Sequence, residues 1–261
     1  MRSSILATAL LTAGPAVALS RSPQPTQSPN GQYVVDSFGT FANRAIFNFT
    51  GRTTLPSGLY ASNWDIGSPP THTFQPANVV VSGGYLNLKV PGGQTTKPYR
   101  SAEVITTANN IKYASVRTVA IFSEPAGVCN GAFFYYNDTQ ETDIEWLSDA
   151  ASLSNQGTRK LWLTNQDADR NGVKTYLATT PPSNPTSEEH EYRLDWTPGR
   201  VRWFVDGVQV FSTTSDVPST AGPWVFNNWS NGDNGWSVGP PATEANFKIK
   251  DIIIYYNTGT N

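Results

Sequence analysis

Glu141-Thr142-Asp143-Ile144-Glu145 places three carboxylates at alternate positions. In a β-strand, alternate side chains share a face, so Glu141, Asp143 and Glu145 point the same way. Thr142, Ile144 and Trp146 take the opposite face and read as core. Adjacent negative charges repel, so the cluster costs stability unless it is used. Cleavage of a glycosidic bond uses such a set: one carboxylate attacks or stabilises, and one carboxylic acid protonates the leaving oxygen. The backbones of Glu141 and Glu145 lie roughly 13 Å apart at strand rise. Two Glu side chains leaning together can close to the spacing of a retaining or an inverting enzyme, so spacing leaves stereochemistry open. Charge repulsion raises one pKa, and the raised group is the acid. Asp143, between them, can orient one Glu and share its proton. Which Glu attacks does not follow from these residues.

The elements that hold this strand are short β-branched and aromatic runs separated by turns. Val79–Ser82 and Tyr85–Val90 form a hairpin through Gly83-Gly84. Further strands are expected at 115–122, 132–136, 160–164, 191–196, 201–205, 208–212, 224–229 and 246–256. Asp206-Gly207 fits a two-residue type I′ turn. Near its end, the last strand becomes continuously apolar through Ile252-Ile253-Ile254, as suits the middle of a sandwich. No amphipathic helix of three turns and no internal repeat appear. The expected fold is all-β: one antiparallel β-sandwich or jelly roll.

The chain has 261 residues and a formal charge of −2, without a basic stripe for nucleic acid. Arg2, the apolar run from Ile5 to Leu11 and Ala16-Val17-Ala18 read as a secretory signal peptide over 1–18. The run is too short to span a membrane, and the polar C-terminus offers no lipid-anchor signal. Secretion is therefore expected. Residues 19–32 are rich in Ser, Pro, Gln and Asn and read as a flexible mature N-terminus, leaving 33–261 as the catalytic domain.

Cys129 is the one cysteine, so no internal disulfide forms. It reads as a buried, inert thiol beside Phe133-Phe134. Only His72 and His190 exist, which argues against a His/Cys zinc site, and no Gly-x-Ser-x-Gly elbow is present. Sequons occur at Asn48, Asn137 and Asn228; glycosylation suits Asn48 and not Asn228, which falls in the expected cleft. Trp64, Trp229 and Trp236 stand among polar residues and suit stacking on sugar rings.

The pattern as a whole resembles glycoside hydrolase family 16, in particular secreted fungal endo-1,3(4)-β-glucanases with a concanavalin A-like jelly roll. The resemblance rests on Glu141-Thr142-Asp143-Ile144-Glu145, on Ser101-Ala102-Glu103 and Tyr113-Ala114-Ser115-Val116-Arg117 upstream, and on three downstream segments. These are His190 to Pro198, Trp203-Phe204-Val205-Asp206-Gly207 and Asn227 to Gly232. They span roughly residues 60–256. The resemblance implies a concave cleft in which Glu141 is the nucleophile, Asp143 its helper and Glu145 the acid/base, with retention. It also implies sugar binding by Glu103, Asn227 and Trp229, and more weakly by Asn165. Catalysis would need no cofactor. Asp251 is placed either to help hold a structural calcium or to be a capped Asp at a strand bend. Ile105 stands where many relatives carry arginine, and Trp146 where phenylalanine is usual. His190 is expected to pack at a strand start, and Trp196 and Trp203 in the core.

Three functions compete. The first is an endo-β-glucanase acting on β-1,3/1,4-linked glucan, the linkage unresolved. The second is a wall-remodelling transglycosylase using the same acids. The third is a lectin-like binder, disfavoured because all three acids are present. A polysaccharide is the expected partner; no partner protein is indicated, and the chain is read as a monomer.

Overall fold

Alternation along each strand gives it one apolar face, and two such faces meet in this protein. The computed structural model describes residues 21–260; the signal-peptide assignment at 1–18 lies outside them. In chain order the strands are β1 (Thr26–Gln27), β2 (Tyr33–Val35), β3 (Gly39–Phe41), β4 (Asn43–Asn48), β5 (Leu59–Ala61), β6 (Trp64–Ile66) and β7 (His72–Phe74). There follow β8 (Val79–Ser82), β9 (Tyr85–Val90), β10 (Tyr99–Thr106), β11 (Ile111–Ile121), β12 (Cys129–Asn137), β13 (Gln140–Leu147), β14 (Leu161–Asn165) and β15 (Thr175–Thr179). The last are β16 (His190–Thr197), β17 (Arg200–Val205), β18 (Val208–Thr213), β19 (Trp224–Trp229) and β20 (Ala245–Thr258). A single 3-10 turn at Pro76–Asn78 is the one helical element among the described residues.

One sheet has nine strands, ordered β15-β14-β13-β12-β19-β10-β7-β6 with β5 also on β10. The other has eight, ordered β18-β17-β16-β11-β20-β9-β8 with β4 also on β20. Pairing is antiparallel except between β7 and β10. The fold is the expected all-β sandwich. β20 pairs with β4, β9 and β11, which explains its change to a continuous apolar run. Asp206 and Gly207 both have positive φ (50° and 78°), as a type I′ hairpin turn requires.

The core between the sheets holds Trp146, Trp196, Trp203 and Trp224 with Phe134, Phe226 and Phe247. Trp203, from the eight-stranded sheet, donates its indole N–H to the Asp143 carbonyl at 2.9 Å. A residue of one sheet thus pins the acid strand of the other.

The stretch expected to be flexible is not free from residue 21 onward. The Ser22 N–H donates to Glu191 Oε1 at 2.7 Å, and Arg117 Nη1 donates to the Ser22 carbonyl at 3.4 Å. β1 then pairs with β2, which pairs with β3. Composition misleads here because the backbone N–H and carbonyl of Ser22 find buried charged partners. Glu191, Arg193 and Asp195 point away from the core, yet all are buried. Arg193 Nη2 bonds Asp195 at 2.6 Å and Asp36, just after β2, at 2.8 Å.

Candidate active site

Register across the nine-stranded sheet builds the site. Glu145 of β13 lies opposite Gly131 of β12 and Trp162 of β14. Gly131 lies opposite Asn227 of β19, and Asn227 opposite Glu103 of β10. One row therefore crosses five strands as Trp162, Glu145, Gly131, Asn227, Glu103. The next row runs Thr164, Asp143, Phe133, Val225, Ile105. Thr142, Ile144 and Trp146 are buried on the other face, which fixes the acids towards the cleft.

The cleft encloses about 470 Å³ and is bordered by Glu103, Glu141, Glu145, Asn227, Trp229 and Trp64, among others. Glu141 and Glu145 are partly exposed there, whereas Asp143 is buried. Asp143 Oδ2 accepts a hydrogen bond from Gln166 Nε2 at 3.0 Å. Its Oδ1 has no donor, so an ionised Asp143 would bury a bare oxygen. Burial, and then the charge of Glu141, push the Asp143 carboxyl well above its ordinary range. Burial raises Glu141 and Glu145 as well; Asp143 opposes the rise at Glu141, because a protonated Asp143 can donate to it. The three acids titrate as a set, and at neutral pH they carry fewer than three negative charges.

Glu103 Oε1 accepts from Ser62 Oγ at 2.7 Å and Oε2 from Asn227 Nδ2 at 3.3 Å. Burial outweighs these bonds and lifts its carboxyl to about 7. Gly131 makes room for this pair: a Cβ there would stand 2.6 Å from Asn227 Oδ1. His72 stacks on Trp229 with ring centres 5.2 Å apart and borders the cleft. Burial lowers its pKa to about 4, so the ring is neutral at ordinary pH.

Glu141, Asp143, Glu145, Glu103, Asn227 and Trp229 all come together on the cleft side. Asn165 does not. It pairs with Thr142, faces the core and gives its amide to the Ser215 carbonyl at 3.0 Å. The alternation of β14 instead sends Trp162 and Thr164 to the cleft face. His190 packs at the start of β16, bonded to Asp206 at 2.7 Å and to the Ser183 carbonyl at 2.8 Å. Asn228 is fully buried and bonds the carbonyls of Leu88 and Ala245, so its sequon is closed in the folded chain.

The calcium reading of Asp251 meets two competing donors. One carboxylate oxygen pairs with Arg21 at 3.3 Å and the other accepts from the Asn48 amide. Calcium takes about six to eight oxygen ligands. An oxygen already facing a guanidinium is a poor start, and no group of three His, Cys, Asp or Glu residues is placed for a metal among the described residues. Asp251 thus serves as a partner for Arg21 of the N-terminal segment and for Asn48 of β4.

The profile described as "Glycosyl hydrolases family 16" matches residues 68–247. The chain belongs to glycosyl hydrolases family 16. Curated relatives named beta-glucanase include one from Paenibacillus polymyxa, 42% identical over 48 residues, covering 18% of this chain and 20% of that protein. A "Xylanase/beta-glucanase" of Ruminococcus flavefaciens is 26% identical over 191 residues, 68% of this chain and 23% of its own length. The chain thus spans only about a fifth of the length of these two relatives. Among solved structures, a Bacillus licheniformis beta-glucanase superposes with a TM-score of 0.67 at 18% identity, covering 84% of this chain and all but 1% of its own. An endo-1,3-beta-glucanase catalytic domain from Thermotoga petrophila gives 0.64 at 16% identity, covering 83% and 97%. These likenesses confirm the jelly-roll fold.

Sequence reasoning missed four residues around this family 16 cleft: His72, Trp162, Gly131 and Gln166. Trp162 was open to discovery by extending the alternation of β13 to its neighbour. Gln166 continues the same alternation one step beyond Thr164, just past the end of β14, and reaches Asp143. His72 is brought to the cleft by the packing of β7 against Trp229. Cys129 is buried as expected, yet its Sγ lies 3.2 Å from Glu145 Oε1, inside the site rather than in inert core.

Proposed function

We propose that this protein is a secreted, retaining endo-β-glucanase. The observation that carries the reading is the row of acids on an open cleft floor, two partly exposed and one buried between them. Glu141 attacks the anomeric carbon while the glycosidic C–O bond breaks, and Glu145 gives its proton to the departing oxygen. Water then passes a proton back to Glu145, its oxygen bonds the anomeric carbon, and Glu141 is released. Asp143 keeps a proton that it shares with Glu141. This moderates the charge of the nucleophile in the free cleft. Glu103 and Asn227 offer hydrogen bonds to sugar hydroxyls, and Trp229 and Trp64 offer stacking faces.

The β-1,3/1,4 assignment draws support from relatives and fold neighbours named as beta-glucanase, lichenase and laminarinase. Incubating the protein from residue 19 onward with mixed-linkage glucan and with laminarin tests it. Shorter products that first appear as the β-anomer by proton NMR are expected. Products longer than the input would point to transfer, and a first-formed α-anomer would overturn the double displacement.

A further inference from the structure

We propose that Cys129 and Trp236 form a two-donor clamp on one oxygen of Glu145, with Cys129 a positioning residue for the acid/base. The inference rests on the reading of Glu145 as that acid/base. Cys129 opens β12 two residues before Gly131, so its side chain lies on the cleft face diagonal to Glu145. Its Sγ donates to Glu145 Oε1 at 3.2 Å, and Trp236 Nε1 donates to the same oxygen at 3.3 Å. Trp236 comes from the loop after β19, so the two donors reach Oε1 from independent parts of the chain. Cys129 is fully buried in an apolar cluster with Leu147 and Trp162, against which Trp229 and Trp236 pack.

The consequence concerns the proton. An oxygen that accepts two hydrogen bonds acts as the carbonyl oxygen of the acid, leaving the acidic proton on Oε2. The clamp therefore selects the oxygen that delivers and regains the proton. A thiol suits this place because it is a small, largely apolar group that still donates. It fixes orientation and, with the indole, favours the ionised carboxyl against burial. Burial and the adjacent carboxylate push the thiol itself well up, so it stays S–H and keeps donating. Other groups facing Glu145 are Glu141 and Asp143 on its own strand and Lys174 just before β15, whose charge favours ionisation. The thiol and the indole act in the same direction as Lys174, against burial.

Cys129→Ala, Cys129→Ser and Trp236→Phe test the clamp, with kcat/KM measured on two substrates. One is an unactivated glucan oligosaccharide, whose departure needs a proton. The other is a dinitrophenyl glucoside of matching chain length, whose leaving group departs unaided. Cys129→Ala and Trp236→Phe are expected to slow the oligosaccharide about tenfold and the aryl substrate less than about twofold. The alkaline limb of the oligosaccharide pH profile moves up in both variants, and Cys129→Ser, which keeps a donor, recovers most of the rate. Equal slowing of both substrates, or slowing of neither, in Cys129→Ala and Trp236→Phe would overturn the clamp. Glu145→Gln separates the two readings: if it shows the leaving-group split and the clamp variants do not, only the clamp is wrong. If Glu145→Gln shows no split, the acid/base reading is wrong.

Discussion

At Glu103 burial works against two hydrogen bonds, and burial wins. With the carboxyl lifted to about 7 from an ordinary 4.5, the native protein holds a proton that the unfolded chain has released. This contribution to stability is complete below about pH 4.5 and is lost as pH rises through 7. Glu103→Gln removes the ionisation, so the variant should gain about 1–3 kcal/mol over the parent at pH 8 and little at pH 4.5. Urea unfolding at the two pH values checks this. His72 slopes the other way: its contribution is lost as pH falls from 6.5 towards 4, because only the unfolded ring takes a proton there. His72→Gln should therefore flatten the acid side of the stability curve. In catalysis, the raised Glu145 predicts an alkaline limb above the ordinary carboxylate range, measurable in the profile of kcat/KM. Removing the aromatic face by Trp229→Ala should raise KM about five- to tenfold with a smaller change in kcat.

At the level of elements, β13 was legible because its period-2 alternation sorts acids from core residues in one strand. The shared face of Glu141, Asp143 and Glu145 followed from that. The fold class needed the recurring short β runs and turns of the whole chain, and the roles of the acids came from the family resemblance. Asn165 was misplaced because a motif read along the chain carries no register. One pairing, Asn165 with Thr142, sends it to the core. The role of Gly131 is likewise invisible in sequence, since it depends on Asn227 lying on the adjacent strand. Gly131→Ala should push Asn227 off Glu103, raising KM about tenfold and costing about 1–3 kcal/mol of stability. Substrate kinetics and thermal melts read both effects, and an unchanged KM would remove Asn227 from the binding row. Trp203→Phe deletes the indole donor to the Asp143 carbonyl, and the loss of about 1 kcal/mol expected for one buried bond should come with a fall in kcat.

For the whole molecule, the two sheets divide the work. The nine-stranded sheet bears the acids, and the eight-stranded sheet backs it and is itself covered by the N-terminal segment. That cover could not be read from a polar, proline-rich stretch, because its partners Glu191 and Arg117 are far away in sequence. A chain beginning at residue 33 should leave Arg117 and Glu191 without their Ser22 partners and melt about 5 °C or more below one beginning at residue 19. Its cleft residues are untouched, so activity at low temperature should persist. In the proposed double displacement, this scaffold presents Glu141 as the nucleophile. Trapping with a 2-deoxy-2-fluoro glucan glycoside, followed by peptide mass spectrometry, tests it most directly. The expected result is one glycosyl adduct on Glu141; an adduct on Glu145, or inactivation of a Glu141→Gln variant at the parent's rate, would contradict it.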